Sequence, residues 1–496
     1  MTKTFKIIYS AIFFLLCTLP LVLMPFLKND PSIEKREFAA FPAYVQDGKL
    51  NNDFGSGFEA WYNDRIPLRA NLLASANFIK GEILHAETSN VMIGKDGWLF
   101  YASEANDYMN TNPLTESQVK AEAVTLSLIE ENIRERGGHF TFVALPNKSS
   151  VYSEYVGDNY RKADENNLTR INKALEDMGV NHVDMLKVLT DARMELLLSD
   201  YMDPDDPDGP TLYHRRDSHW NYRGALVGYD AIMTSLGRDH DAHKGANYEV
   251  RYDWRADLDK LVYPAWGTMD KQYYYDIEHA DYRFTDPKGV KDHEAQLELF
   301  MSDKEQGDDF FTIRNLELND GSKLFMARDS FGRALLPYMK DNYETSSFKR
   351  TDCPDIANLE EGTDLVYEIG ERNLAKVIAT APFMYAPERE DVGIEGCSPA
   401  GDTECIVESQ GYGIRVYGEL PEGTGEDGRV YIRLEKTGSG EAVTFEAFPI
   451  FESKLLRREG TDGFSAIISK DAGLSGTYSV KIITGNTVYQ GGEVTI

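Results

Sequence analysis

The chain is poor in cysteine, in histidine and in positive charge. Its 496 residues include four cysteines and nine histidines. No C-x-x-C pair and no Cys/His spacing suited to structural zinc occurs, so the sequence offers no metal site and implies no cofactor. Lys and Arg total 52 against 82 Asp and Glu, a formal net charge of −30. Phosphate binding needs clustered Lys and Arg, so nucleic acid and anionic lipid are excluded as partners. There is no internal repeat and no G-x-S-x-G elbow. The acidic string "DPDDPDG" (203–209) lacks the D-x-D-x-D-G register and the twelfth-position Glu of an EF-hand, and reads as a solvated loop.

What is present begins at the N-terminus. An uncharged apolar run from Ile7 to Leu27 lies between Lys3 and Lys6 on one side and Lys28 and Asp30 on the other. A run of about 20 apolar residues suits a membrane-crossing helix, whereas a signal-peptide core is usually shorter and ends at small residues. No A-x-A site follows, so an uncleaved anchor over 1–30 is expected, with a cleaved signal peptide as the alternative. Leu16 precedes Cys17 where a lipoprotein signal wants a small residue, which argues against lipidation. Positive charge on the N-terminal flank puts the body outside the cytoplasm, in single-pass topology at the cell membrane. Cys397 and Cys405, close together in "EGCSPAGDTEC", then read as a disulfide-closed loop in an oxidising space, and Cys353 as a buried thiol.

With 42% apolar residues the chain can bury a large core, and its length suggests roughly two to four domains. Helical spacing on either side of Pro67 is followed by "VMIGKDGWLFYA" (91–102), two short strands about a turn. "TESQVKAEAVTLSLIEENIRERGG" (115–138) opens with Thr115 and Gln118 in capping-box register and stops on two glycines. "HFTFVALP" (139–146), a helix over about 166–178, and "VNHVDM" (180–185) continue in strand, helix, strand order. That order predicts an α/β domain with a parallel sheet between helical layers, spanning 31–392. "SKLFMARDSFGRALLPYM" (322–339) and "TDLVYEIGERNL" (363–374) repeat the theme of a strand entering a turn and a helix. Residues 240–320, rich in Asp, Tyr and His, read as an insertion over one face of the sheet. In that stretch "YPAWGTMDKQYYYD" (263–276) suits sugar stacking or buried packing. From 393 to 496, six short alternating segments separated by turn residues predict a β-sandwich, possible ground for glycan contact.

In an open α/β sheet the site lies beyond the carboxyl ends of the strands. The residues just past those ends are Asn147 and Lys148, then Arg328, Asp329 and Ser330, then Glu371 and Arg372. A serine at a strand–turn–helix junction can attack an acyl group, with free N–H groups nearby for an oxyanion. Read alone, Ser330 favours a helix N-cap over a nucleophile. A nucleophilic serine needs a base and the base needs an orienting acid. Asp217 and His219 in "RRDSHWNYRGA" (215–225) offer both, since side chains two apart in an extended segment share a side. Read alone, that histidine favours a local loop role.

Taken together, "DSHWNYRGA" and the downstream "ARDSFG" resemble the D-x-H-W and D-S-F/Y motifs of exported SGNH-hydrolase-like proteins. These include the alginate O-acetyltransferase family (the AlgJ and AlgX type) and the DHHW-type proteins of Gram-positive bacteria. "REFAAFP" (36–42), "NDRIPLR" (63–69), "IGKDGWLFY" (93–101), "LPNK" (145–148) and "EIGER" (368–372) extend the resemblance over about 34–390. It implies a triad with Ser330 as nucleophile, His219 as base and Asp217 as orienter. Asn147, Lys148, Arg328, Trp220 and Arg372 are candidates for oxyanion or substrate contact. It further implies acetyl transfer to an extracytoplasmic polysaccharide, fed by a membrane-bound O-acyltransferase as acetyl donor. An esterase with the same triad, and a non-catalytic glycan-binding or assembly protein, are the competing expectations. Two positions depart from the family spelling: Arg328 fills the glycine slot of G-D-S, and Ser218 the second place of D-H-H-W.

Overall fold

The computed structural model describes residues 3–31, 37–46, 48–83, 88, 90–198, 206–238, 240, 244–285, 310–390, 392–421, 427–451, 455–456 and 462–496. The chain starts with helix α1 (Lys3–Leu23), which contains Pro20 and exposes Phe5, Ile7, Ile8, Phe13 and Phe14. Among the described residues no helix is long and apolar enough to cross a membrane. Two helices, α2 (Phe54–Arg65) and α3 (Arg69–Phe78), flank Pro67 as the sequence predicts. Part of "REFAAFP" lies outside the described residues.

Next comes a hairpin of β1 (Val91–Ile93) and β2 (Leu99–Tyr101), paired antiparallel. Its turn places Asp96 at φ 53° and Gly97 at φ 77°, conformations that suit the Asp-Gly sequence. Helix α4 (Glu116–Glu135) then begins at the capping box: Gln118 N–H donates to Thr115 Oγ1 and Thr115 N–H to Gln118 Oε1. Strand β3 (Phe140–Leu145), helix α5 (Asn167–Met178), strand β4 (His182–Val183) and helices α6 (Met185–Leu198) and α7 (Tyr222–Ser235) follow. Strand β5 (Tyr248–Arg255), helix α8 (Asp257–Val262) and strand β6 (Met269–Tyr275) form a separate antiparallel unit. This unit is one part of the stretch expected as an insertion (240–320), whereas Tyr282–Thr285 and Phe310–Asn315 of the same stretch join the main sheet instead, and residues 286–309 lie outside the described set. The sheet resumes with β7 (Tyr282–Thr285), β8 (Phe310–Asn315), β9 (Lys323–Arg328), β10 (Thr345–Arg350) and β11 (Thr363–Gly370).

The main sheet has the order β4-β3-β11-β9-β10-β8-β7. Its first five strands run parallel, while β8 and β7 add antiparallel at the edge, so the sheet is mixed and not purely parallel as expected. Alternation along the strands splits the core in two. Val143, Leu145, Met326 and Val366 meet α6 and α7 on one face. Phe142, Ala144, Ala327 and Leu365 meet α4 and α5 on the other. Three layers result, with the carboxyl ends of β3, β11 and β9 side by side.

The C-terminal region contains all six predicted strands and two more: β12 (Ser398–Asp402), β13 (Cys405–Gln410), β14 (Gly413–Leu420), β15 (Val430–Lys436), β16 (Ala442–Phe451), β17 (Asp462–Ser469), β18 (Thr477–Thr484) and β19 (Thr487–Thr495). They follow one hydrogen-bonded order, β12-β19-β18-β15-β16-β17-β14-β13, folded around a shared apolar core. The fold falls within β16, which pairs with β15 through Ala442–Ala447 and with β17 through Phe448–Phe451. The two extra strands correct the expected disulfide loop. Cys397 and Cys405 are free thiols, because β12 pairs with β19 and β13 with β14, drawing the two segments to different neighbours. Burial pushes the Cys405 thiol up to about 12.

The β-region is packed firmly on the α/β layers. Phe448 and Ile450 of β16 belong to the same buried cluster as α4. Arg389 bonds Glu131 of α4 at 2.5 Å and Glu446 of β16 at 2.6 Å.

Candidate active site

Ser330 stands two residues past β9, at the start of a short 3-10 turn (Phe331–Leu335). The helix expected there is a short 3-10 turn followed by a four-residue α segment with Pro337, so no helix dipole of useful length points at the serine. The Ser330 side chain makes no capping bond. Its Oγ lies 2.8 Å from His219 Nε2. On the far side of the ring, Nδ1–H donates to Asp217 Oδ1 at 2.8 Å. Asp217 also accepts the His219 backbone N–H at 3.1 Å, Trp254 Nε1–H at 3.1 Å and the Asp257 backbone N–H at 2.8 Å. Four donors fix this carboxylate in one orientation. Burial opposes its charge, but the His219 hydrogen bond and imidazole hold Asp217 well below the usual carboxylate range. Burial likewise opposes a charged His219, and the Asp217 bond with the Asp217 and Asp257 charges outweighs it, so the imidazole lies above its ordinary value.

The loop that carries Asp217 and His219 is held from several directions. Lys148 is fully buried and donates all three N–H bonds to its carbonyls, to His214 O at 3.1 Å, Arg215 O at 3.0 Å and Asp217 O at 2.6 Å. Its ammonium lies 5.2 Å from the Phe100 ring and 5.7 Å from Trp98, and burial brings its pKa down to about 8. From the insertion, Asp270 Oδ2 accepts Arg216 N–H at 2.7 Å, and Trp254 stacks on His214 at 4.9 Å. Trp220 is buried, and its Nε1–H donates to Phe331 O at 3.1 Å, tying the histidine loop to the serine turn. Gly228 packs against the Trp220 ring, where a Cβ would sit 2.7 Å from it.

The other sequence candidates divide between cleft and core. Lys148, expected as a substrate or oxyanion contact, is instead a staple beneath the loop with no donor to spare. Arg328 is buried and donates to Asp329 O at 2.9 Å, so it faces the core and not the cleft. Asn147 is buried, with its N–H on Glu371 Oε2 at 2.7 Å and its Nδ2–H on Asp107 Oδ2 at 2.8 Å. Arg372 stays beside the triad, its guanidinium 5.4 Å from the Phe331 ring and 5.7 Å from Tyr101, with Nη1 buried and unpartnered. The expected solvated loop at 203–209 is corrected at Asp206, which is buried and accepts Lys271 Nζ–H and Tyr273 OH at 2.6 Å each. Residues 203–205 of that string lie outside the described set. Of the aromatic run 263–276, Tyr263 and Tyr273 are buried while Trp266 is exposed.

Sequence reasoning missed Trp254 and Asp257. Their only signal was an aromatic and an acid close together in "YDWRAD" (252–257), a string without periodicity. Asp217, His219 and Asp257 offer ligand atoms within 4.8 Å of one another, the one such group among the described residues. Within that group Nδ1 is engaged by Asp217 and Nε2 faces Ser330, so both ring nitrogens are already in hydrogen bonds inside the protein.

An α/β fold carrying a serine, an imidazole and a carboxylate in one hydrogen-bonded line at the carboxyl edge of its sheet is arranged for general-base activation of a hydroxyl. Comparison with known proteins narrows the class. Residues 91–300 match the family model described as SGNH hydrolase-like domain, acetyltransferase AlgX, a segment that includes Asp217 and His219 and ends before Ser330. The chain is 24% identical over 245 residues to a probable alginate O-acetylase AlgJ of Pseudomonas syringae pv. tomato, covering 48% of this chain and 54% of that one. It is 25% identical over 203 residues to the probable alginate O-acetylase AlgJ of Pseudomonas aeruginosa, covering 40% and 45%. The chain thus spans about half the length of the curated relatives it matches. A solved DHHW family protein from Eubacterium siraeum aligns with 16% identity and a TM-score of 0.41, covering 59% of this chain and 96% of that one. The family resemblance read from the motifs is met by the family model and by the two curated AlgJ relatives.

Proposed function

We propose that the protein is an extracytoplasmic O-acetyltransferase that moves acetyl groups onto a cell-wall or secreted polysaccharide through an acetyl ester on Ser330. The observation that carries this reading is the line Ser330 Oγ, His219, Asp217, with both links at 2.8 Å. With Nδ1–H engaged by Asp217, the Nε2 lone pair takes the Ser330 proton as Oγ attacks the acetyl carbonyl of a donor ester. His219 then protonates the departing alcohol, leaving acetyl-Ser330. A glycan hydroxyl enters, gives its proton to Nε2, and attacks the ester; the acetylated glycan leaves as the proton returns to Ser330. Arg372, with an unpartnered Nη1 beside the triad, is the cleft's candidate for oxyanion or substrate contact.

The polysaccharide acceptor follows the relatives' printed activity, and acetyl would come from a membrane-bound O-acyltransferase because acetyl-CoA is cytoplasmic. In this reading residues 1–30 anchor the chain, 31–392 form the catalytic domain outside the cytoplasm, and 393–496 contact glycan or act as a spacer. The test is acetate release from an activated acetyl ester together with acetyl transfer to glycan in cells. Ser330→Ala is expected to lower both by at least about a thousandfold at normal protein level, with His219→Ala similar and Asp217→Asn retaining a residue of activity. Wild-type turnover in Ser330→Ala removes the nucleophile; brisk ester hydrolysis with no acetyl on any glycan makes water the acceptor and the protein an esterase.

A further inference from the structure

The imidazole faces a second carboxylate that the triad does not include. Asp257 opens α8 in the insertion, and its Oδ2 lies 3.6 Å from His219 Nδ1. Ser218 bridges the gap: its Oγ–H donates to Asp257 Oδ2 at 2.5 Å, and the same Oγ lies 3.2 Å from Nδ1. Ser218 N–H donates to Asp257 Oδ1 at 2.7 Å, so this carboxylate holds the residue before the histidine at two points. Because the Ser218 proton is committed to Asp257, a hydroxyl lone pair is turned toward Nδ1–H, which then has two acceptors and one stable tautomer. Meanwhile the Asp257 backbone N–H secures the other oxygen of Asp217 at 2.8 Å.

We propose that Asp257, acting through Ser218, is a positioning residue that holds the His219 tautomer and stabilises the imidazolium formed during acetyl transfer. The inference rests on the acyl-transfer reading above for its consequence, and on the 217–219 and 257 geometry for its existence. The charges that face His219 are Asp217 on its own loop, Asp257 on α8 and Arg372 past β11; the first two raise its proton affinity and the last lowers it. Lys148 beneath the loop is attracted by both carboxylates. Burial and the Asp217 charge push Asp257 itself up to about 6. Above that pH it is ionised and adds to the field that favours a charged imidazole.

Removing this charge while keeping its shape should lower the proton affinity of His219. Activity needs the neutral ring, so it falls as pH drops through the His219 pKa. In Asp257→Asn of the full chain, the acid limb of kcat/KM for acetyl ester hydrolysis should therefore move to lower pH by about one unit. The plateau should fall about tenfold through kcat, with KM little changed. Ser218→Ala should weaken the plateau in the same direction by a smaller factor. A role limited to loop packing would change the plateau and leave the limb in place. His219 titration followed by NMR on histidine-labelled protein gives a readout independent of turnover. An unchanged His219 titration in folded Asp257→Asn overturns the inference, and a shift to lower pH sustains it. Absence of Ser330-dependent turnover in the wild type, with the titration still shifted, would sink the acetyl-transfer reading and leave the Asp257 contact standing.

Discussion

The carboxyl edge of the mixed sheet and the C-terminal β-region both bury polar side chains, but they use them differently. In the β-region the buried Glu446 is met by two arginines, Arg389 at 2.6 Å and Arg429 at close range, and so pins β16 to the segment before it and to α4. That carboxylate is spent on opposite charges. At the sheet edge the carboxylates face mostly neutral donors: Asp217 takes backbone and indole N–H groups beside the His219 Nδ1–H, and Glu371 takes Asn147 N–H, Ser150 Oγ–H and Asn166 Nδ2–H. Burial, with Asp107 and Glu104 close by, raises Glu371 to about 8. The kind of partner a buried carboxylate has marks where a proton can move. Fixed ion pairs fasten layers, whereas carboxylates satisfied by neutral donors leave an imidazole free to carry a proton between hydroxyls.

Three experiments probe this contrast. The largest effect is expected in the β-region's contact with the α/β layers. Phe448 is 1% exposed and shares the α4 core, so Phe448→Ala should cost about 3–5 kcal/mol. The loss should appear in a single unfolding transition for the whole protein by calorimetry. Two separated transitions, with only the later residues destabilised, would show that the regions unfold apart. Next comes Lys148→Met, which keeps most of the buried volume but leaves the carbonyls of His214, Arg215 and Asp217 without their donor. It should cost about 1–3 kcal/mol and lower kcat more than it raises KM, because the loop carries both the proposed base and its proposed orienter. A variant with wild-type kcat at equal stability would mean that the loop holds its shape without the staple. The smallest effect is the absence of one: with Cys397 and Cys405 unpaired, a reductant such as dithiothreitol should leave the melting temperature unchanged. A drop of several degrees would reveal a disulfide between them.

Much of the architecture was legible because its signals are local. The Thr115/Gln118 box starts α4 where the sequence places it, the Asp96–Gly97 turn closes the first hairpin, and the apolar runs before Asn147, Asp329 and Glu371 are the three adjacent strands of the sheet. The strands β12 and β13 were not legible, since "SPAGD" lacks alternation and owes its strand to pairing with β19. Nor were the β7 and β8 edge strands, which lie in a stretch with no clear period.

For the site, the order of residues along the chain sets which residue types stand at the strand ends, and it spells the two motifs that carry Asp217, His219 and Ser330. Which of them meet depends on how the folded chain packs. A separation of 111 residues between His219 and Ser330 closes to 2.8 Å because β3, β11 and β9 lie side by side and the loop before α7 folds over their ends. The same packing turned Lys148 and Arg328 inward, left Arg372 at the cleft, and brought Trp254 and Asp257 from an unpatterned insertion to the orienting side of the imidazole. Periodicity and capping are set by neighbours in the chain, whereas the partner of a buried polar group is set by which surfaces the sheet order presses together.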